Sequence, residues 1–167
     1  GTHDDLAPFV MNQHRNGLLT PWGYNASSGM VQLTEEDYVN SRYILNPLRI
    51  FDCDRPVNAS AAYLVTTAER ARDMRQPPVY VLNHSQHNFT QRTTQPDLDE
   101  IEDWTDRAAR RMYEGAGLGP ADVDIFNPYD GYSIMAQFFL EAFQWHGVER
   151  GDSFAFYADD IRVEGPH

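Results

Sequence analysis

The chain has 167 residues, is 41% hydrophobic and 13% aromatic, and carries a formal net charge of −12. That length and composition suffice for one globular domain with a sizeable core and exclude a disordered chain. The acidic balance argues against duplex nucleic acid as a partner, because phosphate binding demands a basic surface, yet it leaves room for a local arginine-lined pocket.

No apolar run approaches the roughly 18 residues of a membrane span. The first residues, GTHDDLAPFVMNQ, have neither the basic nor the apolar region of a signal peptide. A single cysteine, Cys53, excludes an internal disulfide and fits a reducing compartment. Together these features predict a cytoplasmic protein. The chain lacks an initiator Met, and it reads as a piece of a longer polypeptide.

In chain order, a short helix is predicted around Leu6–His14, followed by a loop rich in Asn, Gly, Pro and Ser up to residue 30. Thr34 is a good N-cap for a helix over 34–41, with Asp37 where a capping box would carry Glu or Gln. NPLRIFDCDRP reads as extended. SAAYLVTTA, 60–68, and the segment 78–83 have the apolar, β-branched character of buried strands, with a short charged helix between them. Residues 86–99 form a polar surface excursion. From Ile101 to Ala116 the apolar residues recur at helical spacing, and Gly117 is placed to end that helix. PADVDIF reads as a third strand. The segment 133–145 is apolar on nearly all sides, as in a helix buried within a larger protein. FAFYADDIRVEGPH reads as one or two edge strands. Strands alternating with helices predict an α/β fold.

The joint at Tyr129-Asp130-Gly131-Tyr132, between the third strand and the apolar helix, is the strongest candidate site. A strand that turns sharply into a helix lifts its side chains to the carboxyl end of a sheet, where ligands of α/β proteins bind. A tyrosine there can hydrogen-bond a developing enolate or exchange a proton. The alternative is that Tyr129 and Tyr132 are packing residues with hydroxyls at the surface. His84 and His87 lie three apart, but no third His or Cys sits at metal-ligand spacing, so they read as loop residues. His146 suits a helix C-terminus. Asp52 and Asp54 flank Cys53 and raise its thiol pKa, the wrong direction for a nucleophile. Arg15, Arg42, Arg49 and Arg55 are candidate phosphate contacts. No P-loop, G-x-S-x-G or G-x-G-x-x-G motif is present.

Several segments together resemble the thiolase superfamily, in its sterol-carrier-protein-x and lipid-transfer-protein branch. They are NQHRNGLLTP (against N-H-x-N-A-x-x-N-P), LTEEDYVNSRYILNPLRIFDC (against L-T-x-x-D-Y-x-x-S-R-x-I-x-x-P-L-x-x-x-D-C), AAYLVTTAERARDMRQPPVYV and DVDIFNPYDGYSIMAQFFLEAF. The resemblance runs from about residue 6 to 165. It implies a thiolase-like fold with αβαβα layering, present as an incomplete copy. Residues 1–58 would be the loop-domain end and connection, 59–76 the last strand and helix of the N-terminal half, and 77–167 the C-terminal half, truncated before its glycine-rich end.

Within the resemblance, the departures bear on the chemistry. Thiolases of this branch carry H-D-C-F at the joint, where the histidine helps form an oxyanion hole. Here Tyr129 replaces His and Gly131 replaces Cys. A further departure is Asn58-Ala59-Ser60, where the family has D-G-A. The pattern looks like the retro-aldolases of steroid side-chain degradation, which cleave a β-hydroxyacyl-CoA with a tertiary alcohol into a ketone and a shorter acyl-CoA. By that resemblance Tyr129 is the first choice for the residue that handles the proton and Tyr132 the second, Asp130 stands with them as a catalytic candidate, and His14, Arg15 and Arg42 contact coenzyme A as part of the substrate. No covalently bound cofactor and no metal is implied. The implied partners are an acyl-CoA substrate, a second copy in a homodimer, and an OB-fold protein of the acyl-CoA-associated kind. Two rival readings stand beside this one: a 3-ketoacyl-CoA thiolase, and a non-catalytic thiolase-like subunit that binds acyl-CoA or lipid.

Overall fold

A computed structural model describes residues 3–86, 97–159 and 161. The N-terminal part is helical and compact. A 3₁₀ turn, His3–Leu6, leads into α1 (Ala7–Leu18), with Pro8 in the first turn, where its missing N–H costs no helical bond. The helix runs past the predicted end at His14 and through Gly17. The polar loop after it contains a further single-turn helix, α2 (Tyr24–Ser27).

Thr34 caps α3 (Glu35–Val39) as its sequence predicts. Its hydroxyl accepts from the Asp37 N–H at 3.1 Å, and the Asp37 carboxylate accepts from the Thr34 N–H at 3.0 Å. Aspartate thus fills the capping-box position with a shorter side chain than the usual Glu. The stretch predicted as simply extended folds into a small antiparallel hairpin, β1 (Tyr43–Leu45) and β2 (Leu48–Arg49), followed by a 3₁₀ turn at Ile50–Asp52.

The predicted strands are where sequence and structure part. Residues 60–67 and 78–83 form neither helix nor strand, and they pair with no other strand among the described residues. Tyr63, Leu64, Val65, Val79 and Val81 are each more than three-quarters exposed. PADVDIF is a 3₁₀ turn, Pro120–Asp122, running into a segment that forms no strand. Only the hairpin forms a sheet among the described residues. A strand satisfies its backbone through neighbours, so strand composition without a neighbour does not make a strand. Between segments 60–67 and 78–83, Thr67 caps α4 (Ala68–Arg72). The predicted edge strand in FAFYADDIRVEGPH is instead α7 (Ser153–Ala158), with residues 160 and 162–167 outside the described set.

The two long C-terminal helices match their periodicity, but the first begins at Leu98, inside the predicted surface excursion, because Asp97 caps it there, and the second ends at Phe143 instead of residue 145. Asp97 caps α5 (Leu98–Ala116) by accepting from the Glu100 N–H at 2.8 Å. Gly117 ends it at φ 66°, a left-handed C-cap that a side chain would disfavour. The apolar helix α6 (Ser133–Phe143) packs along α5. Trp104 meets Phe139 edge-on at 5.3 Å, and Tyr113 meets Phe143 at 5.5 Å. The Tyr113 hydroxyl also donates to the Phe143 carbonyl at 2.7 Å, satisfying one of the helix's terminal acceptors. The opposite side of α6 enters the main core, where fully buried Ala136 joins Leu6, Ala7, Phe9, Val10, Leu33 and Tyr38. Tyr157 on α7 closes this core edge-on against Phe9 at 4.8 Å. The helix is therefore shared between two packed units, as its all-round apolar character predicts.

Candidate active site

The joint sits on an anchor that sequence reading treated only as the neighbour of Cys53. Asp52 is 2% exposed, and its carboxylate accepts from three elements. The Ser133 hydroxyl, in the first turn of α6, donates to it at 2.6 Å. The Arg49 N–H donates at 2.6 Å, and the Tyr38 hydroxyl reaches its two oxygens at 3.0 and 3.1 Å. A carboxylate at a helix N-terminus is also favoured by the helix dipole. Burial, and then the charge of Asp52, push the Tyr38 phenol far up, so it stays a neutral donor. Beside the anchor, Cys53 and Tyr132 form an antiparallel bridge, and the Asp54 N–H donates to the Gly131 carbonyl at 2.9 Å. The backbone of 131–132 is thus pinned to the segment 52–54.

On that base the structure places the predicted residues as follows. Tyr129 is 58% exposed and Tyr132 47%, so both rings stand at the surface of the joint. The hydroxyl end of the Tyr129 ring lies directly over buried Gly131. Tyr132 serves as the N-cap residue of α6, and its carbonyl accepts from the Met135 N–H at 2.8 Å. Asp130 stands between two hollows. One, of about 280 Å³, is lined by Phe9, Gln13, His14, Asp52, Arg55 and Ser133 among others. The other, of about 250 Å³, is lined by Asn12, Gln13, Asn127, Phe156 and Tyr157 among others. Burial, and then the charge of Asp130, raise the Tyr157 phenol to about 12, so it too is a neutral hydroxyl at ordinary pH.

His14 and Arg42 share a broader depression with Arg55, whereas Arg15 lines none of these hollows. The His14 Nδ1 accepts the Leu33 N–H at 3.4 Å, which leaves Nε2 to carry the proton of the neutral ring. Burial, and then the Arg55 charge, lower its pKa. His14 is therefore a neutral hydrogen-bonding group rather than a cation for phosphate. Arg55 lines both the 280 Å³ hollow and this broader depression, and stacks over the Tyr24 ring at 5.4 Å. Arg49, by contrast, is buried over Tyr43 at 4.4 Å and donates to the Ser41 carbonyl at 2.9 Å, which commits it to the fold.

Cys53 behaves as its neighbours predict. Burial first, then Asp52 and Asp54, raise its thiol pKa. His87 lies outside the described residues, and His84 is exposed. His146 follows the end of α6 at φ 54° and packs against Trp145 and Phe156, with ring centroids 4.2 and 6.1 Å apart. Among the described residues no cluster of three His, Cys, Asp or Glu side chains is placed to hold a metal ion, and no helix is long and apolar enough to cross a membrane.

Residues 85–166 match the family model for the thiolase C-terminal domain-like family. The chain carries a thiolase C-terminal-like domain. It is 34% identical over 139 residues to the 17-hydroxy-3-oxo-4-pregnene-20-carboxyl-CoA lyase of Mycobacterium tuberculosis, covering 80% of this chain and 35% of that one. It is 29% identical over 166 residues to the acetyl-CoA acetyltransferase of Methanothermobacter thermautotrophicus, covering 98% of this chain and 42% of that one. Among solved structures, the Ltp2-ChsH2(DUF35) aldolase superposes with a TM-score of 0.66 at 23% identity, over 96% of this chain and 42% of that chain. The fold is thus thiolase-like, as the resemblance predicts. The chain spans between 35% and 42% of the length of these relatives.

Proposed function

We propose that the protein of which this chain is part is a thiolase-fold lyase that cleaves a β-hydroxyacyl-CoA of a steroid or related side chain by a retro-aldol reaction, giving a ketone and propionyl-CoA. The observation that carries this reading is the pinned joint, which holds the Tyr129 phenol over Gly131 where this branch of the fold has a histidine followed two residues later by a cysteine. The reaction needs a group to take the proton of the tertiary hydroxyl and donors to stabilise the thioester enolate left when the Cα–Cβ bond breaks. The electron pair of that bond moves onto the thioester, and a proton returned to Cα completes propionyl-CoA, with no oxidant and no water consumed. Tyr129 is assigned the proton transfer, and Tyr132 and Asp130 its support. The mycobacterial relative, a lyase by name, supports this class of reaction.

Coenzyme A enters as part of the substrate. The depression shared by His14, Arg42 and Arg55 is assigned to it, with Arg55 in place of Arg15. A homodimer and an OB-fold partner of the acyl-CoA-associated kind belong to the same reading, and the two-component name of the solved aldolase supports a partner chain. The second reading, a 3-ketoacyl-CoA thiolase, is favoured by the archaeal acetyltransferase relative. In that case the nucleophile is not Cys53, whose thiol pKa is raised.

The full-length protein, with and without candidate OB-fold partners, is to be offered a β-hydroxyacyl-CoA bearing a tertiary alcohol and, separately, a 3-ketoacyl-CoA with free CoA. Products are followed by mass spectrometry. Ketone plus propionyl-CoA from the first substrate, lost in Tyr129→Phe, is the expected result. Thiolysis of the second substrate alone would sink the lyase reading.

A further inference from the structure

We infer that Gly131 is a positioning residue, the seat that sets where the Tyr129 phenol stands; this rests on the assignment of Tyr129 to the proton transfer. Gly131 is buried, and its φ lies outside the left-handed region, so the backbone conformation does not call for glycine. What calls for glycine is space. A Cβ built at Gly131 would overlap the hydroxyl oxygen of Tyr129 first and its ring carbons Cζ and Cε1 next, and these three are the nearest atoms it would meet.

Ordinarily such an overlap is relieved by whichever partner moves more easily. The backbone here cannot retreat freely, because the Gly131 carbonyl accepts from Asp54 and its neighbour Tyr132 is bridged to Cys53. Next along the chain, Ser133 is tied to the buried carboxylate of Asp52. The exposed ring of Tyr129 must therefore swing aside. Any side chain at 131 displaces the phenol by about an ångström or more, and displacements of that size cost on the order of 100-fold in rate when a reacting group is involved. Tyrosine at 129 and glycine at 131 thus form one device, since a cysteine at 131 would occupy the same space as the phenol.

The test uses the full-length protein with the partner that supports activity, and compares Gly131→Ala, Tyr129→Phe, Tyr129→Ala and Gly131→Ala combined with Tyr129→Ala. The expected result for Gly131→Ala is a kcat lowered about 100-fold with KM within about twofold, since binding contacts remain while the reacting group moves. A thermal-stability cycle runs in parallel. Gly131→Ala should leave the melting temperature within about 2 °C in both backgrounds, since an exposed ring relieves the overlap by swinging aside, so the loss is read in kcat and not in stability. If Tyr129→Phe abolishes turnover but Gly131→Ala turns over like the parent, the seat is overturned and the lyase reading stands. If Tyr129→Phe turns over like the parent, the assignment of Tyr129 fails and the positioning role falls with it. If Gly131→Ala destabilises both backgrounds equally, the glycine is needed for another reason and the seat is overturned.

Discussion

Replacing Asp52 by Asn tests whether the joint is held from below. The substitution keeps the shape and removes the charge. One oxygen position becomes an amide NH₂, which must face either the Arg49 N–H, a donor only, or the Ser133 hydroxyl, which can turn to accept but then gives up its own donation to residue 52, each now at 2.6 Å. The bond at the retained oxygen persists without its charge. A hydrogen bond to a charged group contributes about 1.5–3 kcal/mol, and a buried donor left unpaired costs about 1–3 kcal/mol. One such loss plus the weakening of its counterpart gives an expected destabilisation of about 3 kcal/mol. For a unit of this size that lowers the thermal midpoint by about 6–12 °C. Ser133→Ala removes one bond only and should cost about 1.5 kcal/mol. The double variant should fall well short of the sum, because both changes remove the same contact. Denaturant titration of the four proteins measures this directly. An Asp52→Asn protein within about 0.5 kcal/mol of the parent, the scatter of neutral surface changes, would refute the claim that this carboxylate anchors α6 to the N-terminal unit.

Two further outcomes follow from the charged and phenolic groups around the joint. The Tyr157 phenol is raised to about 12 against an unfolded value near 10. Its neutral form favours the folded state, so the stability it contributes is whole below about pH 10 and is lost as pH rises towards 12. Melting temperature recorded between pH 9 and 12 should fall more steeply in the parent than in Tyr157→Phe, and equal slopes would refute the assignment. Arg55→Ala should raise KM for an acyl-CoA about tenfold with little change in kcat, as expected for uniform binding of a remote phosphate group, whereas Arg15→Ala should leave KM unchanged. Steady-state kinetics on the active full-length complex decide between them.

The helices and their ends were legible because their determinants are local. Thr34 with Asp37 and Gly117 at the C-cap each act within one turn of chain, whereas Asp97, placed by its polar neighbours in the surface excursion, caps a helix that starts three residues before Ile101. The strands were not, although their composition was read correctly. A helix closes its hydrogen bonds within itself, whereas Tyr63–Val65 and Val79–Val81 need a neighbouring backbone that the described residues do not supply. The FAFYA segment shows the opposite error. Its aromatic residues suggest a strand, but Phe154 and Tyr157 stand one helical turn apart and both pack against the main core, so tertiary contact overrides propensity.

The candidate site divides along the same line. The residues that face out from the joint, Tyr129, Asp130 and Tyr132, fall within four consecutive positions around Gly131, so a single glycine turn was enough to single them out. The group that holds the joint in place comes from 81 residues earlier in the chain, and no local pattern marks it. The signal that was available is the pair Ile50-Phe51 just before Asp52, an acidic residue carried inward by apolar neighbours. An acid in that setting must be paired if it is buried, and its partners have to be donors. Ser133, the first residue of an apolar helix that otherwise offers few hydroxyls, is the natural one. The same logic separates the arginines. Arg49 directly follows β2's Leu48 in that inward-facing stretch and is spent on ring faces and a carbonyl, while Arg55, beyond the turn at Cys53, reaches the hollows. Which cation can meet a ligand is thus decided by the direction in which the 49–55 segment turns, and that turn is fixed by the carboxylate of Asp52.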